Sequence, residues 1–302
     1  MDLSDEAKKL ISKRIDEGNF RKELLEYIPD ECKSLLEFGY GDGTLLLASK
    51  YLKHTEKIYG IDIKKSAASQ YFDKSWHFDL SIKDNVIEDE FNNSIECIVS
   101  SCALEHVYDP WMILSKLRRC LTEEGKIVIE IPNVQCWESL YRIAVGEFPY
   151  TSGAHFDCTH IRWYTLHSFI EILEYVGFEP VSVQPLLFGV DLGFLNKVKE
   201  IKTVELPPPG VNSDAPKIII KYPVNIKPLY PYFVAPRFII TAERGTAPFQ
   251  DRSVCAGGQL EEFRLTNESK KRFIPKIIDD PMHPVIARQL KERLGVEIKP
   301  AL

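Results

Sequence analysis

Apolar residues recur along the chain in short dense blocks separated by polar turns. Leu3, Ala7, Leu10 and Ile11 fall on one helical face, so residues 4–28 read as two short helices stopped at Pro29. Residues 34–38 form a compact apolar run that ends at glycines, as a strand buried on both faces does. Residues 44–52 (TLLLASKYL) then look helical, and 57–63 give a second strand. Further strands are predicted at 75–80, 96–101, 125–131 and 178–183, with a last one at 237–242. Asp109 caps and Pro110 opens a helix that runs through Leu121, with Trp111, Leu114, Leu117 and Leu121 as its stripe. Thr165 caps another helix, which ends at Gly177.

Strands alternating with helices at this pitch predict an α/β fold, a mainly parallel sheet with helices on both faces. Two regions depart from the rhythm. Residues 201–236 carry eight of the chain's 19 prolines, including Pro207, Pro208 and Pro209, and predict an extended loop or insertion rather than a helix. Residues 246–302 show no alternation; their best helix is 284–294. The division expected is therefore N-terminal helices at 1–29, a main domain at 30–245 interrupted by an insertion at 184–236, and a C-terminal extension at 246–302. Within the insertion, residues 189–195 begin a short amphipathic helix. The insertion can cover a substrate pocket or serve as a dimerisation arm. The extension can wrap its own domain or a second copy in a homodimer.

The 302 residues are 44% hydrophobic and 27% charged, which excludes wholesale disorder. A formal charge of −6 argues against a protein whose main work is gripping nucleic acid, and favours a small molecule. The seven cysteines include no C-x-x-C pair and read as reduced thiols of a cytoplasmic protein. The charged N-terminus and the lack of an apolar run of roughly 18 residues predict neither a signal peptide nor a membrane span.

The strongest chemical signal is Glu37-Phe38-Gly39-Tyr40-Gly41-Asp42-Gly43, set between a strand and a helix. Glycines there let the chain turn tightly and let a ligand approach the main chain. Asp62 ends the second strand, where a carboxylate can accept both hydroxyls of a ribose. A dinucleotide turn would want glycine at position 44, which is Thr44, and Glu37 would repel a pyrophosphate. A carboxylate at that point suits a cationic ligand.

The E-x-G-x-G-x-G run resembles motif I of the class I S-adenosylmethionine-dependent methyltransferases. The likeness extends to Tyr59-Gly60-Ile61-Asp62, His77-Phe78-Asp79-Leu80, the "LEHV.DP" stretch through Leu104-Glu105-His106-Val107, Gly125–Asn133, and Thr159-His160-Ile161-Arg162-Trp163-Tyr164-Thr165. It implies a Rossmann-like methyltransferase fold with a seven-stranded sheet, and S-adenosylmethionine as cofactor with S-adenosylhomocysteine as product. The positions it assigns to the cofactor are Glu37, Gly39, Tyr40, Gly41, Asp62, Ile63, Asp79, Leu80 and Ser101, with Asp79 near the adenine amine and Ser101 contributing main chain. The acceptor it implies is a small molecule such as a sugar, a sugar-linked metabolite or a natural product, with O-methylation favoured over N-methylation.

Methyl transfer from a sulfonium needs alignment and, for a hydroxyl acceptor, a base. His160 is the first candidate base and His155 the second; His106, after the fourth strand, can equally pin its own loop. The long segment 146–164 carries Tyr150, Phe156, Trp163 and Tyr164, which can stack on an acceptor ring or pack the loop. Arg162 can bind an anionic acceptor or pair with Asp157. His155 and His160 find no further ligand in the sequence, so no metal is expected. Glu105 reads either as a partner supporting a site residue or, preferred, as a solvated acid at a helix start, and Asp42 as a turn residue bonding main chain. A non-catalytic partner subunit with the same fold is the alternative. A nicotinamide-dependent enzyme is disfavoured by Glu37 and Thr44.

Overall fold

The computed structural model describes residues 4–16, 21–187, 197–206, 218–222, 225–227 and 230–246. The expected helices at 189–195 and 284–294 and the triple proline lie outside the described residues. The chain divides into two compact units. Among the described residues, the first takes in those up to 131, then 170–181 and 239–246. The second takes in 132–169 and 182–238.

The N-terminal helices are α1 (Asp5–Asp16) and α2 (Lys22–Leu25). The sheet strands that follow are β1 (Ser34–Phe38), β2 (Lys57–Asp62), β3 (Lys74–His77), β4 (Ile95–Ser101) and β5 (Leu121–Pro132). Helix α3 (Thr44–Leu52) links β1 to β2, α4 (Pro110–Cys120) precedes β5, and α6 (Leu166–Tyr175) is the helix expected after Thr165. Adding β6 (Phe178–Leu186) and β9 (Arg237–Arg244) gives a seven-stranded sheet in the order β3-β2-β1-β4-β5-β9-β6. The pairs β3–β2, β2–β1, β1–β4 and β4–β5 are parallel. The strand order reverses between β1 and β4, so right-handed crossovers send α3 and α4 to opposite faces. All five residues of β1 are buried, as the unbroken apolar run required. The expected Rossmann-like doubly wound sheet is the fold observed.

Local rules explain the element ends. Asp109 accepts a bond from the Met112 amide at 2.9 Å and Pro110 opens α4, as its sequence indicated. The helix stops at Cys120, because Leu121 is already extended (φ −65°, ψ 139°) and starts β5. Gly125 was expected to begin that strand but lies inside it. A Cβ there would come within 3.0 Å of the Ile95 carbonyl oxygen, so the glycine marks a close approach of β5 to β4.

The proline-rich segment, expected as an extended loop or insertion rather than a helix, carries strands and a short helix of its own in the second unit. Strands β7 (Thr203–Leu206) and β8 (Ile218–Lys221) pair antiparallel, and α7 (Tyr230–Val234) follows. Helix α5 (Trp137–Ala144), read as loop from the sequence, belongs to the same unit. Tyr141 of α5 joins Ile201, Val204, Leu206, Ile226, Phe233 and Val234 in one buried cluster, with Trp137 and Leu140 packed against it. Proline did not prevent this, because Pro231 sits in the first turn of α7 and Pro236 beyond its end. Among the described residues no helix is long and apolar enough to cross a membrane.

Candidate functional site

The turn after β1 is held by three left-handed glycines: Gly39 (φ 74°), Gly41 (φ 54°) and Gly43 (φ 80°). The Gly39 amide donates to the Ile61 carbonyl at 2.8 Å. A Cβ on Gly39 would lie 2.3 Å from that of Ala103, so the turns after β1 and β4 touch where the strand order reverses. Open α/β sheets gather ligands at that switch point. A Cβ on Gly41 would meet nothing within 4 Å, which leaves that face of the turn open. Asp42 bonds the Thr44 amide at 2.9 Å and so serves the turn.

Glu37 lies beneath this turn and is buried. Its Oε2 has no hydrogen-bond partner among the described residues. Burial raises its pKa well above the ordinary carboxylate value, and the neighbouring Asp42 and Asp62 add to the shift. Such a carboxylate is poorly satisfied by the chain's own groups and is well matched to a cation. Asp62, at the end of β2, accepts the Gly41 amide on Oδ2 and the Lys64 amide on Oδ1, each at 2.9 Å. A carboxylate has about four acceptor directions, so both oxygens can also accept hydroxyls. Ile63 beside it is exposed.

The other positions drawn from the sequence behave differently. The Tyr40 side chain turns into the protein, with its hydroxyl donating to the Lys64 carbonyl at 3.0 Å and lying 3.2 Å from His77 Nδ1. Its ring packs edge-on to Phe72. What Tyr40 offers at the turn is therefore main chain. Asp79, after β3, takes the amide and hydroxyl of Ser81 on Oδ1 at 2.8 and 2.6 Å. The Leu80 side chain is buried. The Ser101 hydroxyl is committed to Glu130 Oε2 at 2.6 Å.

Glu105 is only 1% exposed, which overturns its reading as a solvated acid. The short turn Leu104–His106 carries it inward, and its pKa is raised to about 8, chiefly by burial, with Glu130 adding to the shift. Glu130, also buried, faces Arg21 Nη1 at 3.5 Å. Acids in strands and strand-end turns read as solvated by default, and only the sheet register brings Ser101 opposite Glu130. His106 Nε2 is 4.0 Å from Glu105 Oε1.

A raised folded-state pKa means that the folded protein holds a proton the unfolded chain releases. Glu105 therefore adds stability that is present below about pH 4.5 and lost as pH rises through about 8. Glu105→Gln should remove part of this loss and make the protein about 2–4 kcal/mol more stable than wild type at pH 9, relative to the difference at pH 5. Urea denaturation at the two pH values measures it. Equal pH slopes in the two proteins would show that Glu105 is ionised throughout.

In the second unit the segment 146–164 is tied by its own polar groups. Asp157 Oδ1 accepts the amide and hydroxyl of Thr159 at 2.8 and 2.6 Å, and the His160 amide reaches the Asp157 carbonyl at 3.0 Å. His155 Nε2 lies 2.7 Å from the Pro236 carbonyl oxygen. Burial opposes a charge on His155, but contact with the Cys136 thiol outweighs it and raises the pKa. His160 is largely buried, with Nδ1 3.1 Å from the His155 carbonyl oxygen, which suits donation from Nδ1–H. Phe148 is the hub of an aromatic group, with ring centroids 5.6 Å from Tyr150, 5.0 Å from Phe156 and 5.5 Å from Trp163. Tyr150 and Trp163 are exposed and Phe156 is buried. Tyr164 is buried against Phe169, so it packs the unit. Arg162 is half-buried.

The structure can be set beside known proteins. A chain from the complex between the Haloferax volcanii Trm112 methyltransferase activator and its described methyltransferase shares 13% identity at a TM-score of 0.47. That match covers 81% of this chain and 100% of the other. A SAM-dependent methyltransferase from Archaeoglobus fulgidus is 20% identical over 74% of this chain and 91% of its own, with a TM-score of 0.44. An S-adenosylmethionine-dependent methyltransferase from Mesorhizobium loti is 12% identical over 74% and 96%, with a TM-score of 0.46. At this distance none bears on what this chain acts on. No curated protein matches the sequence significantly. The sequence model of the methyltransferase domain matches residues 10–183, more than half of the chain and the whole glycine-turn side of the sheet. With the glycine turn, the unpaired Glu37 oxygen and Asp62 in place, the chain belongs to the methyltransferase-domain family, as a class I enzyme whose methyl donor is S-adenosylmethionine.

Proposed function

We propose that this methyltransferase acts on a hydroxyl of a small, ring-bearing molecule. The donor supplies a methyl group on a sulfonium, with a neutral leaving group. On this reading Glu37 holds the donor's ammonium, and the main chain of Gly39, Tyr40 and Gly41 lines the tail. Asp62 accepts the ribose hydroxyls beside Ile63. Asp79 and Leu80 form the end that meets adenine, and the Ser101 main chain lies at the β4 edge. The observation that carries the donor assignment is the buried Glu37 carboxylate, whose Oε2 has no partner among the described residues. The chain's own work is to align the acceptor and to take its proton.

For the acceptor, the exposed rings of Tyr150 and Trp163 offer stacking faces, and Phe156 backs them through Phe148. Arg162 is assigned to an anionic group on the acceptor, and residues 184–236 to its selection. His160 is assigned as the base rather than His155 or His106. Its Nδ1 contact with main chain would fix the tautomer that leaves Nε2 as acceptor. His160→Ala should slow turnover roughly 100-fold or more and leave the donor's Kd within about twofold. Acceptor screening by methyl uptake from labelled donor, followed by kinetics on the variant, tests both parts. An amine as the only methylated acceptor would overturn the O-methylation reading, and unchanged turnover would remove His160 from the role of base.

A further inference from the structure

Lys116 sits in the middle of α4 and is 5% exposed. Its ammonium lies 2.9 Å from the Leu80 carbonyl oxygen, 2.7 Å from that of Ile82, 2.7 Å from that of Asn85 and 3.4 Å from that of Lys83. A lysine ammonium has three donors, and the three short contacts can use them all. A buried ammonium is tolerated only when so satisfied, so displacing the loop would strand the charge. The lysine and the loop over 79–85 therefore fix each other.

That loop has its own internal ties. Asn85 Nδ2 donates to the Asp79 carbonyl at 2.8 Å, and the Ile82 amide reaches the same oxygen at 3.2 Å. The loop leaves β3 at the carboxyl edge of the parallel strands, the edge that also carries the glycine turn and Asp62. Tyr40 and His77 bridge the β1 turn to the end of β3. A shift of the loop would therefore be felt at the position of Asp79.

We propose that Lys116 is a positioning residue for donor recognition: its caged ammonium sets the 79–85 loop so that Asp79 reads the purine ring. The inference rests on the adenine role proposed for Asp79. Lys116 touches neither donor nor acceptor in this scheme. It acts through three carbonyls, and its effect is selectivity for the base.

The test uses the full chain and two probes, S-adenosylhomocysteine and S-inosylhomocysteine, in which an oxo group replaces the 6-amine. Wild type should prefer the adenosyl compound by ~10-fold or more, the order of one charge-assisted hydrogen bond. Lys116→Met, similar in length but without the ammonium, should cut that ratio at least about fivefold. If wild type discriminates and the Met variant discriminates equally, the Lys116 proposal is overturned while the reading of Asp79 stands. If wild type shows no preference, the adenine reading fails and the proposal with it. Should the Met variant not fold, Lys116→Arg is measured in its place. Its planar fork cannot seat in three converging carbonyls, so it should also lose discrimination, and an unchanged ratio again overturns the proposal.

Discussion

Glu37→Gln is expected to stabilise the ligand-free protein and to weaken binding of S-adenosylhomocysteine. Both effects follow from one carboxylate. Glu37 is buried, and its Oε2 lacks a partner among the described residues while Asp42 and Asp62 stand near. Folding without ligand must either desolvate that charge or hold it protonated. Glutamine keeps the shape and removes the charge. A cationic ammonium loses a charged partner, worth about 1.5–3 kcal/mol, or roughly 10–150-fold in Kd. The pH dependence has a definite sign. Because the folded-state pKa is raised, the stability Glu37 contributes is present at low pH and lost as pH rises through the raised value. A bound ammonium favours the ionised form, so binding should release protons and tighten with pH until Glu37 ionises. The Gln variant should lack that part of the pH dependence. Equal affinities of the two proteins at every pH would remove Glu37 from the ligand site.

The second large effect is expected at Asp62. Its oxygens already take the Gly41 and Lys64 amides, which orients the carboxylate at the sheet edge and leaves acceptor directions open. Two hydroxyl bonds to an ionised acceptor amount to about 3 kcal/mol or more, so Asp62→Ala should raise Kd by roughly 150-fold or more. The lost amide bonds are at an exposed position where water can replace them. Stability should therefore fall by less than about 1 kcal/mol. Calorimetry for binding and urea denaturation for stability separate the two. A variant that binds normally would place the ribose elsewhere, and one that loses binding only by unfolding would leave the role of Asp62 undecided between site and scaffold until Asp62→Asn is measured.

Much of the first unit was legible because its strands are short, apolar and buried on both faces, and glycine turns punctuate them. The glycine turn and Asp62 could be placed because strand, turn and helix fix their positions, while the resemblance of the E-x-G-x-G-x-G run to motif I supplied their expected ligand. The second unit was less legible. Prolines in 201–236 suggested loop or insertion rather than helix, yet β7, β8 and α7 form there, with Pro231 in the first turn of α7 where its missing amide costs little. Trp137, Leu140 and Tyr141 of α5 carry a helical spacing that eight residues are too few to assert. The burial of Glu105, Glu130 and Lys116 was invisible for a different reason. A charged residue declares itself buried only when its partners are known, and the Lys116 carbonyls come from 31 to 36 residues away.

The central claim, a cationic methyl donor held by Glu37 and Asp62, is tested most directly by calorimetric titration of the wild-type chain with S-adenosylhomocysteine. The titration is run in two buffers of unlike ionisation heat. The expected result is micromolar binding with heats that differ between the buffers in the sense of proton release, and with no binding of a nicotinamide dinucleotide. Tight binding of the dinucleotide and none of S-adenosylhomocysteine would contradict the account.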